Sequence, residues 1–314
     1  MAIAQFENGL ITKDMMNELV DNINNRVIGL DSNITKTVGT GGDFTTLNSA
    51  IDWCRGYYSR EYKIILTIKS GTTLSEQIVF KNDDLRFVEI ISEDSSVNVD
   101  SSSFIVLDSS PDGSYKQFIL AFDSFLPLIN TSFINDNALN KTTIGIGVVD
   151  SKLKISNSKS ITFFGYGISA LRSEIICTDI NLSDNYYYGI RIGGNSRMYC
   201  GTITADRIKL TALAIYGNSI ISAGGLHFVG NSESGTTGIS VEGEISSYSK
   251  TISGYSVGVQ VFSGVANLYG DGTINGSIYG VQVIGGGIAK LGGVTVNTLS
   301  QTANTITANG IIFQ

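Results

Sequence analysis

Four acidic residues are the strongest candidates for catalysis in this sequence: Asp184, Asp206, Glu242 and Glu244. Hydrolysis of a glycosidic bond needs two carboxyl groups about 5 to 9 Å apart, one acting as acid and the other as base or nucleophile. Elimination from a uronic acid would instead use Lys, Arg or Tyr. Glu242 and Glu244 are separated only by Gly243, and a pair of solvated turn acids is the alternative interpretation for them.

The sequence contains a single histidine, His227. A triad that needs histidine is therefore hardly possible, and the same holds for a metal site with two histidines. His227 alternates with Leu226 and Phe228, so its side chain is expected to point outward from a strand. We expect no metal and no cofactor, and we lean towards a protein without catalytic activity.

A second group of residues could bind a sugar without cleaving it. Tyrosine rings stack on sugar faces, while Gln and Arg side chains hydrogen-bond to hydroxyl groups. The candidates for glycan binding are Tyr186, Tyr187, Tyr188, Arg191, Gln260 and Gln282. The alternative is a structural ladder of tyrosines that packs at a subunit interface or shields the edge of the core.

These residues are positioned by an internal repeat that runs from about Tyr166 to the end of the sequence. Each unit reads small, apolar, outward, apolar, which is the alternation of a strand with two inward side chains. Successive units start 22, 23, 26, 20, 22 and 30 residues apart. The units begin at Gly167, Gly189, Ala212, Gly238, Gly258, Gly280 and Gly310. One short strand per unit, without a helical pattern in between, predicts an all-β fold, a right-handed parallel β-helix.

The repeat also predicts which side chains become neighbours in successive coils. Glu174 aligns with Arg197 and Asp184 with Arg207, so these acids are expected to form ion pairs along a ladder. The outward column of the main strand contains no carboxylate and consists of Ser169, Arg191, Ala214, Ser240, Gln260 and Gln282.

Three cysteines argue against a disulfide framework. Cys177 and Cys200 fall at the same inward position one coil apart, with Ala223 next in the column. A ladder of small buried thiols is the favoured interpretation, and a disulfide or metal pair is the alternative.

Residues 1–36 differ from the repeat and are interpreted as a helix for oligomerisation and attachment. Apolar residues step by 4, 3, 4, 3 and 4 positions, which is a heptad seam. The seam consists of Met16, Val20, Ile23, Val27, Leu30 and Ile34. A second irregular stretch, Ser124–Lys141, contains Pro127 and several Asn and is expected to leave the coils.

Residues 37–60 carry a recognisable pattern, with TVGTGGDFTTLNSAI running from Thr37 to Ile51. It resembles the first segment of pectin-lyase-like β-helix proteins, in which a strand, a Gly-rich turn and a helix cap the open end of the solenoid. Phe44, Leu47 and Ile51 recur at helical spacing and give the expected capping helix an apolar face. Residues 61–314 then form the β-helix, and the resemblance gives Glu76 a scaffold role.

The composition argues against two classes of partner, nucleic acids and membranes. A net charge of −7 and a pI near 4.8 argue against nucleic acid. The sequence lacks an apolar run long enough to cross a membrane and lacks a basic-then-apolar leader, so we expect synthesis in a cytoplasm without a signal peptide and no membrane insertion.

A self-associating helix followed by a cap and a β-helix resembles bacteriophage tail spike and tail fibre proteins. The resemblance implies a homotrimer in the virion, attached through its N-terminus to other tail or baseplate proteins, with the β-helix contacting bacterial surface polysaccharide. We favour a receptor-binding or structural spike without catalysis. The alternative is a tail spike depolymerase, a hydrolase or lyase that cleaves capsule or lipopolysaccharide. A third possibility is a bacterial surface adhesin or secreted polysaccharide lyase.

Overall fold

The computed structural model describes residues 28–107, 115–136, 141–156, 158–298, 304–307 and 310–313. These residues form a parallel β-solenoid of about ten turns. The β-helix prediction is therefore confirmed at the level of a parallel solenoid. The part of the chain described contains one short helix, α1 (Leu47–Cys54).

The strands are β1 (Ile28–Gly29), β2 (Ile34–Val38), β3 (Tyr57–Tyr58), β4 (Ile64–Ile68), β5 (Thr73–Leu74), β6 (Ile78–Lys81), β7 (Val88–Val99), β8 (Lys116–Phe122), β9 (Phe125–Asn135), β10 (Thr143–Val149), β11 (Lys152–Ile155), β12 (Lys159–Thr162), β13 (Tyr166–Leu171), β14 (Glu174–Asn181), β15 (Tyr188–Gly193), β16 (Arg197–Thr204), β17 (Thr211–Ile215), β18 (Ile220–Val229), β19 (Thr237–Val241), β20 (Glu244–Val261), β21 (Val265–Leu268), β22 (Gly272–Ile284), β23 (Ile288–Lys290), β24 (Thr295–Thr298), β25 (Asn304–Thr307) and β26 (Ile311–Phe313).

The strands stack in parallel register into three faces. Face A contains β6, β8, β10, β13, β15, β17 and β19, continued by the C-terminal ends of β20 and β22 and by β25. Face B follows along each turn and contains β2, β4, β11, β21, β23 and β26 with the first residues of β7, β9, β14, β16, β18 and β20. Face C contains β5, β12 and β24 with the last residues of β7, β9, β14, β16 and β18, the middle of β20 and the first residues of β22.

The core is built from inward columns whose members occupy the same register in successive turns. On face A, one column is fully buried and consists of Ile168, Ile190, Leu213, Ile239, Val259 and Val281. On face B, Cys177, Cys200 and Ala223 follow one another as the repeat predicts, which confirms the column. Each coil thus buries its apolar side chains against the coils before and after it, the nearest-neighbour stabilisation of a repeat protein.

A ladder of buried serines fixes the corner between faces A and B. Its members are Ser124, Ser151, Ser173, Ser196 and Ser219. The Ser173 Oγ accepts from the backbone N–H of Ser151 at 3.1 Å and donates to the carbonyl of Leu171 at 2.8 Å. The same pattern links the other rungs, so each hydroxyl joins two turns of the chain.

Glycine replaces serine where this ladder ends. Gly243 follows Ser219 in the column, and a Cβ on Gly243 would lie 2.2 Å from the carbonyl oxygen of Ser219. At this corner the next coil therefore has no room for a side chain at position 243.

The predicted N-terminal helix of residues 1–36 is wrong at the end of that segment. Ile34 begins β2, which pairs with β4, and Leu30 lies between β1 and β2; both are half-buried against the core. The predicted helix through these two residues is therefore wrong. Met16, Val20, Ile23 and Val27 of the proposed seam lie outside the described residues.

Helix α1 lies within the segment predicted to contain a capping helix. Thr46 is its N-cap, with its hydroxyl accepting from the N–H of Ser49 at 3.2 Å. Glu76 accepts from the N–H groups of Leu47 at 2.6 Å and Asn48 at 3.3 Å, so its carboxylate binds the positive end of the helix. This contact confirms a scaffold role for Glu76, while closure of the solenoid by α1 stays a prediction.

The expected excursion of Ser124–Lys141 is wrong over most of its length. Residues Phe125–Asn135 form β9, which pairs with β7, β11 and β12. Opposite Pro127 the register to β11 shifts by one residue. Such a bulge accommodates a proline, which lacks the N–H that a regular ladder would use.

Candidate functional site

Five tyrosines cluster at the N-terminal edge of face A: Tyr115, Tyr166, Tyr186, Tyr187 and Tyr188. We call them the tyrosine patch. Tyr166 and Tyr188 start β13 and β15 and are paired in register, so their rings stack with centroids 5.0 Å apart and 25° between planes. Tyr115 precedes β8 and meets Tyr166 edge-on at 4.7 Å. Tyr187 lies between them, 5.9 Å from Tyr166 and 6.4 Å from Tyr115.

A buried asparagine holds the turn from which the three consecutive tyrosines emerge. Asn185 has no exposed area; its Oδ1 accepts from the N–H of Phe164 at 2.9 Å, and its Nδ2 donates to the carbonyls of Ile161 and Leu182. The backbone N–H of Tyr186 then donates to the carbonyl of Phe164 at 2.7 Å. These bonds tie the turn to the preceding coil, so the patch has a fixed backbone support.

Cations lie against the patch. The ammonium of Lys141 is 4.0 Å from the centroid of the Tyr186 ring, and that of Lys209 is 5.2 Å from it. Both distances fall within the range of cation–π attraction. The hydrogen bond with Lys141, helped by its charge, lowers the pKa of the Tyr186 hydroxyl. Two ammonium groups thus lie close to the Tyr186 ring at the edge of face A.

Arg191 extends the patch along β15. Its guanidinium carbon is 5.4 Å from the centroid of the Tyr216 ring on the next coil. Burial and a hydrogen bond with Tyr216 raise the pKa of the Tyr188 hydroxyl, and burial and a hydrogen bond with Tyr115 raise that of Tyr166. These two hydroxyls are therefore neutral at physiological pH. Beside Arg191 and Tyr216 a shallow groove of about 210 Å³ extends over Ser169 and Gly193.

The predicted outward column of face A exists in register, but it is not uniformly exposed. Ser169 is 7% exposed and Ala214 is fully buried. Ala214 pairs with Arg191 and lies two residues before Tyr216. The side chains of Arg191 and Tyr216 approach each other across Ala214. Both small residues thus occupy the predicted outward register position but are shielded from solvent.

The predicted glycan-binding residues separate into two groups. Tyr186, Tyr187, Tyr188 and Arg191 lie together, whereas Gln260 and Gln282 follow Arg191 only after two intervening coils. The two glutamines form their own ladder, with Nε2 of Gln260 donating to Oε1 of Gln282 at 2.6 Å. Three coil steps of about 4.8 Å place Gln260 about 14 Å along the rod from Arg191.

The candidate catalytic acids are also divided between two corners. Glu244 pairs with Ile220 at the first residue of β18, whereas Asp206 accepts from the N–H of Val229, the last residue of that strand. The alternation of buried residues changes phase within β18 at Gly224 and Gly225, so its two ends belong to different faces. The structure therefore does not bring Asp184 and Asp206 together with Glu242 and Glu244.

Asp184 and Asp206, which share one of these corners, each have a basic neighbour. Both oxygens of Asp184 accept from Arg207, at 2.6 and 2.7 Å, which confirms this ion pair of the predicted ladder. Asp206 lies 3.7 Å from Nε2 of His227, whose side chain is 48% exposed and points outward as predicted. At the other corner Glu244 accepts from Asn267 at 3.1 Å, and Glu242 is exposed.

A larger groove of about 540 Å³ follows the corner between faces A and B. Its charges are matched across coils: Arg172 binds both oxygens of Asp150, and Lys152 binds Glu174 at 2.7 Å. Arg197 lies in register with Glu174 on the following coil, as the repeat predicts, but Glu174 forms its ion pair with Lys152 of the preceding coil and not the predicted one with Arg197. Since these carboxylates are already bound to cations, this groove offers a polar surface more than an acid–base pair.

Sequence reasoning missed Tyr115, Lys141, Lys209 and Tyr216 as members of the site. Tyr115 lies 51 residues before Tyr166 and outside the regular repeat, so no spacing indicates it. Lys209 and Tyr216 flank β17; the alignment of Lys209 with Tyr186, and the position of Tyr216 two residues after the register partner of Arg191, could have been found from the repeat. No cluster of His, Cys, Asp and Glu suited to a metal ion, and no helix able to span a membrane, occurs among the residues described.

No protein-family model and no curated protein sequence matches this chain.

Proposed function

We propose that this chain is a receptor-binding protein of the bacteriophage tail spike or tail fibre type, which binds a bacterial surface polysaccharide and does not cleave it. The tyrosine patch is the observation that carries the proposal. Its rings lie on the side of the solenoid, where Tyr166 is buried and the other four tyrosines are half-buried, so a chain of sugars would contact the exposed parts of these four rings. Tyrosine offers an apolar face to sugar C–H groups and a hydroxyl at its rim.

The three cations at the patch favour an acidic glycan. Lys141, Lys209 and Arg191 would attract carboxylate or phosphate groups on a polysaccharide, although the protein as a whole carries a net charge of −7. Exposed charges of this kind are screened within about 10 Å at 0.1 M salt. Binding should therefore weaken as salt is added.

The acids support binding without cleavage. Asp184 is the candidate acid closest in sequence to the patch, and Arg207 occupies both of its oxygens. A hydrolase would need two carboxyl groups at a bound sugar. Glu242 and Glu244 lie at a different corner from Asp184, and Asp206, at the same corner as Asp184, lies next to His227. The depolymerase alternative would require a pair completed by a neighbouring subunit.

We also propose that the chain acts as a homotrimer in the virion, attached to other tail or baseplate proteins through its N-terminal residues. The apolar spacing from Met16 to Val27 supports self-association. Light scattering should report about three times the chain mass of 33.5 kDa. A monomer at micromolar concentration would contradict this part of the proposal.

The test of binding is an array of immobilised capsular and lipopolysaccharide glycans, both acidic and neutral, probed with the full chain. We expect binding to acidic polysaccharides that decreases between 50 and 500 mM salt, about a threefold change in screening length. Absence of binding to every bacterial polysaccharide would overturn the proposal. New reducing ends or 4,5-unsaturated sugars released from a bound polysaccharide would instead establish the depolymerase alternative.

A further inference from the structure

Two cysteines outside the tyrosine patch lie in direct contact across neighbouring coils. Cys177 in β14 and Cys200 in β16 are register partners, and their sulfur atoms are 2.8 Å apart. The third cysteine, Cys54, is fully buried in α1. The pair therefore differs from Cys54 in having a second thiol within reach.

The backbone geometry permits a bond between the two sulfurs. Neighbouring strands of a sheet lie about 4.7 to 4.9 Å apart. Disulfides join Cα atoms that are about 4.4 to 6.8 Å apart, with a sulfur–sulfur bond of about 2.05 Å. The two sulfurs, 2.8 Å apart, need to approach by less than about 1 Å. A bridge would therefore form without moving the coils.

The two sulfurs differ in their surroundings. Cys200 lies next to the corner at Gly201, is 9% exposed, and its thiol donates to the carbonyl of Thr202 at 3.3 Å. Cys177 is 6% exposed; its hydrogen bond with Cys200, together with burial, raises the pKa of its thiol. We place Cys200, the slightly more exposed residue, first in the reaction with a small oxidant, and Cys177, whose sulfur lies 2.8 Å away, second.

We propose that Cys177 and Cys200 form a peroxide-sensitive dithiol that closes to a disulfide between two successive coils. In the first step the O–O bond of the peroxide breaks, Cys200 becomes a sulfenic acid, and one water leaves. In the second step the sulfur of Cys177 attacks that of Cys200, the S–O bond breaks, and a second water leaves with the proton of Cys177. The two thiols lose two electrons in total, and the peroxide gains them.

The bridge would tie two turns of the solenoid covalently. It closes a loop from Cys177 to Cys200 that contains Tyr186, Tyr187, Tyr188 and Arg191. Constraining this loop reduces the freedom of the unfolded chain, so the oxidised protein should resist unfolding more strongly than the reduced protein. The consequence is a rod that becomes more robust when it leaves a reducing cytoplasm.

The experiment treats the folded full chain with hydrogen peroxide, alkylates the remaining thiols under denaturing conditions, and identifies the peptides by mass spectrometry. We expect two of the three thiols to disappear with a loss of about 2 Da, and a linked Cys177–Cys200 peptide. Cys54 should stay alkylatable, which makes it an internal control. The melting temperature should rise on oxidation and return to its original value after reduction.

Two variants make the result specific. In Cys177→Ser and in Cys200→Ser the bridge cannot form, so the melting temperature should not rise, and the remaining thiol should gain about 16 or 32 Da instead of losing mass. Three alkylatable thiols after treatment of the wild type would overturn the proposal. Oxygen addition at Cys200 without a linked peptide, or a bridge that forms only in the presence of denaturant, would also overturn it.

Discussion

Removing one hydroxyl of the serine ladder should destabilise the solenoid by a measurable amount. In Ser173→Ala the backbone N–H of Ser151 loses its acceptor, the Ser173 hydroxyl 3.1 Å away. Ser151 itself is only 3% exposed. The carbonyl of Leu171 keeps a donor, because the N–H of Asp150 also bonds to it at 3.0 Å. The change thus leaves one buried donor without its acceptor, at a cost of about 1 to 3 kcal/mol in the free energy of unfolding.

Urea unfolding followed by circular dichroism measures the loss, and hydrogen exchange of the Ser151 amide locates it. Ser222→Ala is the matched control, since Ser222 is exposed on face B and its substitution should change the free energy of unfolding by less than about 0.5 kcal/mol. Equal effects of the two substitutions would refute the reasoning. So would unchanged exchange at Ser151 in Ser173→Ala, because it would show that the hydroxyl does not protect that amide.

Two further predictions concern stability. Burial lowers the pKa of Lys250 from 10.5 to about 8 in the folded state, so the unfolded chain binds more protons between these two pH values. The free energy of unfolding should therefore rise with pH from about 8 to about 10.5. Lys250→Met should remove this rise in a series of urea titrations at different pH. Glu76→Gln removes the negative charge and one of two acceptors at the start of α1, which should cost about 0.5 to 2 kcal/mol by the same method, while Glu61→Gln on the surface should cost nothing measurable. If Lys250→Met leaves the pH dependence of the free energy of unfolding unchanged, the burial of Lys250 is wrongly assigned. If Glu76→Gln is as stable as Glu61→Gln, the contact of Glu76 with α1 is wrongly assigned.

The regular half of the solenoid could be predicted from the sequence because the repeat itself encodes the register. Once Ser173 and Ser196, 23 residues apart, are aligned, the pairing of Cys177 with Cys200 and of Asp184 with Arg207 follows by counting. Each coil contacts only its neighbours, so local spacing carries the three-dimensional arrangement.

The irregular half could not be predicted in the same way. Ile34 fits the heptad spacing of the preceding residues, but Ile34, Lys36 and Val38 also fit the period of a strand, and pairing with β4 decides in favour of the strand. Pro127 suggested a loop, whereas a one-residue bulge lets the strand continue through it. In both cases long-range pairing overrides the local pattern.

The tyrosine patch combines both situations. Tyr166 and Tyr188 share a register position that the repeat reveals, so their stacking could be anticipated. Tyr115 and Lys141 reach the patch from coils without that regularity, and their contacts depend on the path of the chain between strands. The exposure of Ser169 and Ala214 depends on the neighbouring long side chains, which a column of register positions does not describe.

The most direct test of the central claim uses an acidic polysaccharide that the wild type binds. Its dissociation constant is measured by calorimetry for the wild type and for two variants. Tyr186→Ala combined with Arg191→Ala removes one ring and one cation from the proposed binding surface. Tyr248→Ala is the control, since Tyr248 is 71% exposed in β20, away from face A. We predict at least about a tenfold weaker affinity for the double variant, equivalent to about 1.4 kcal/mol, and a change below about twofold for the control. Equal affinity of the double variant and the wild type would contradict the assignment of the tyrosine patch as the glycan-binding surface.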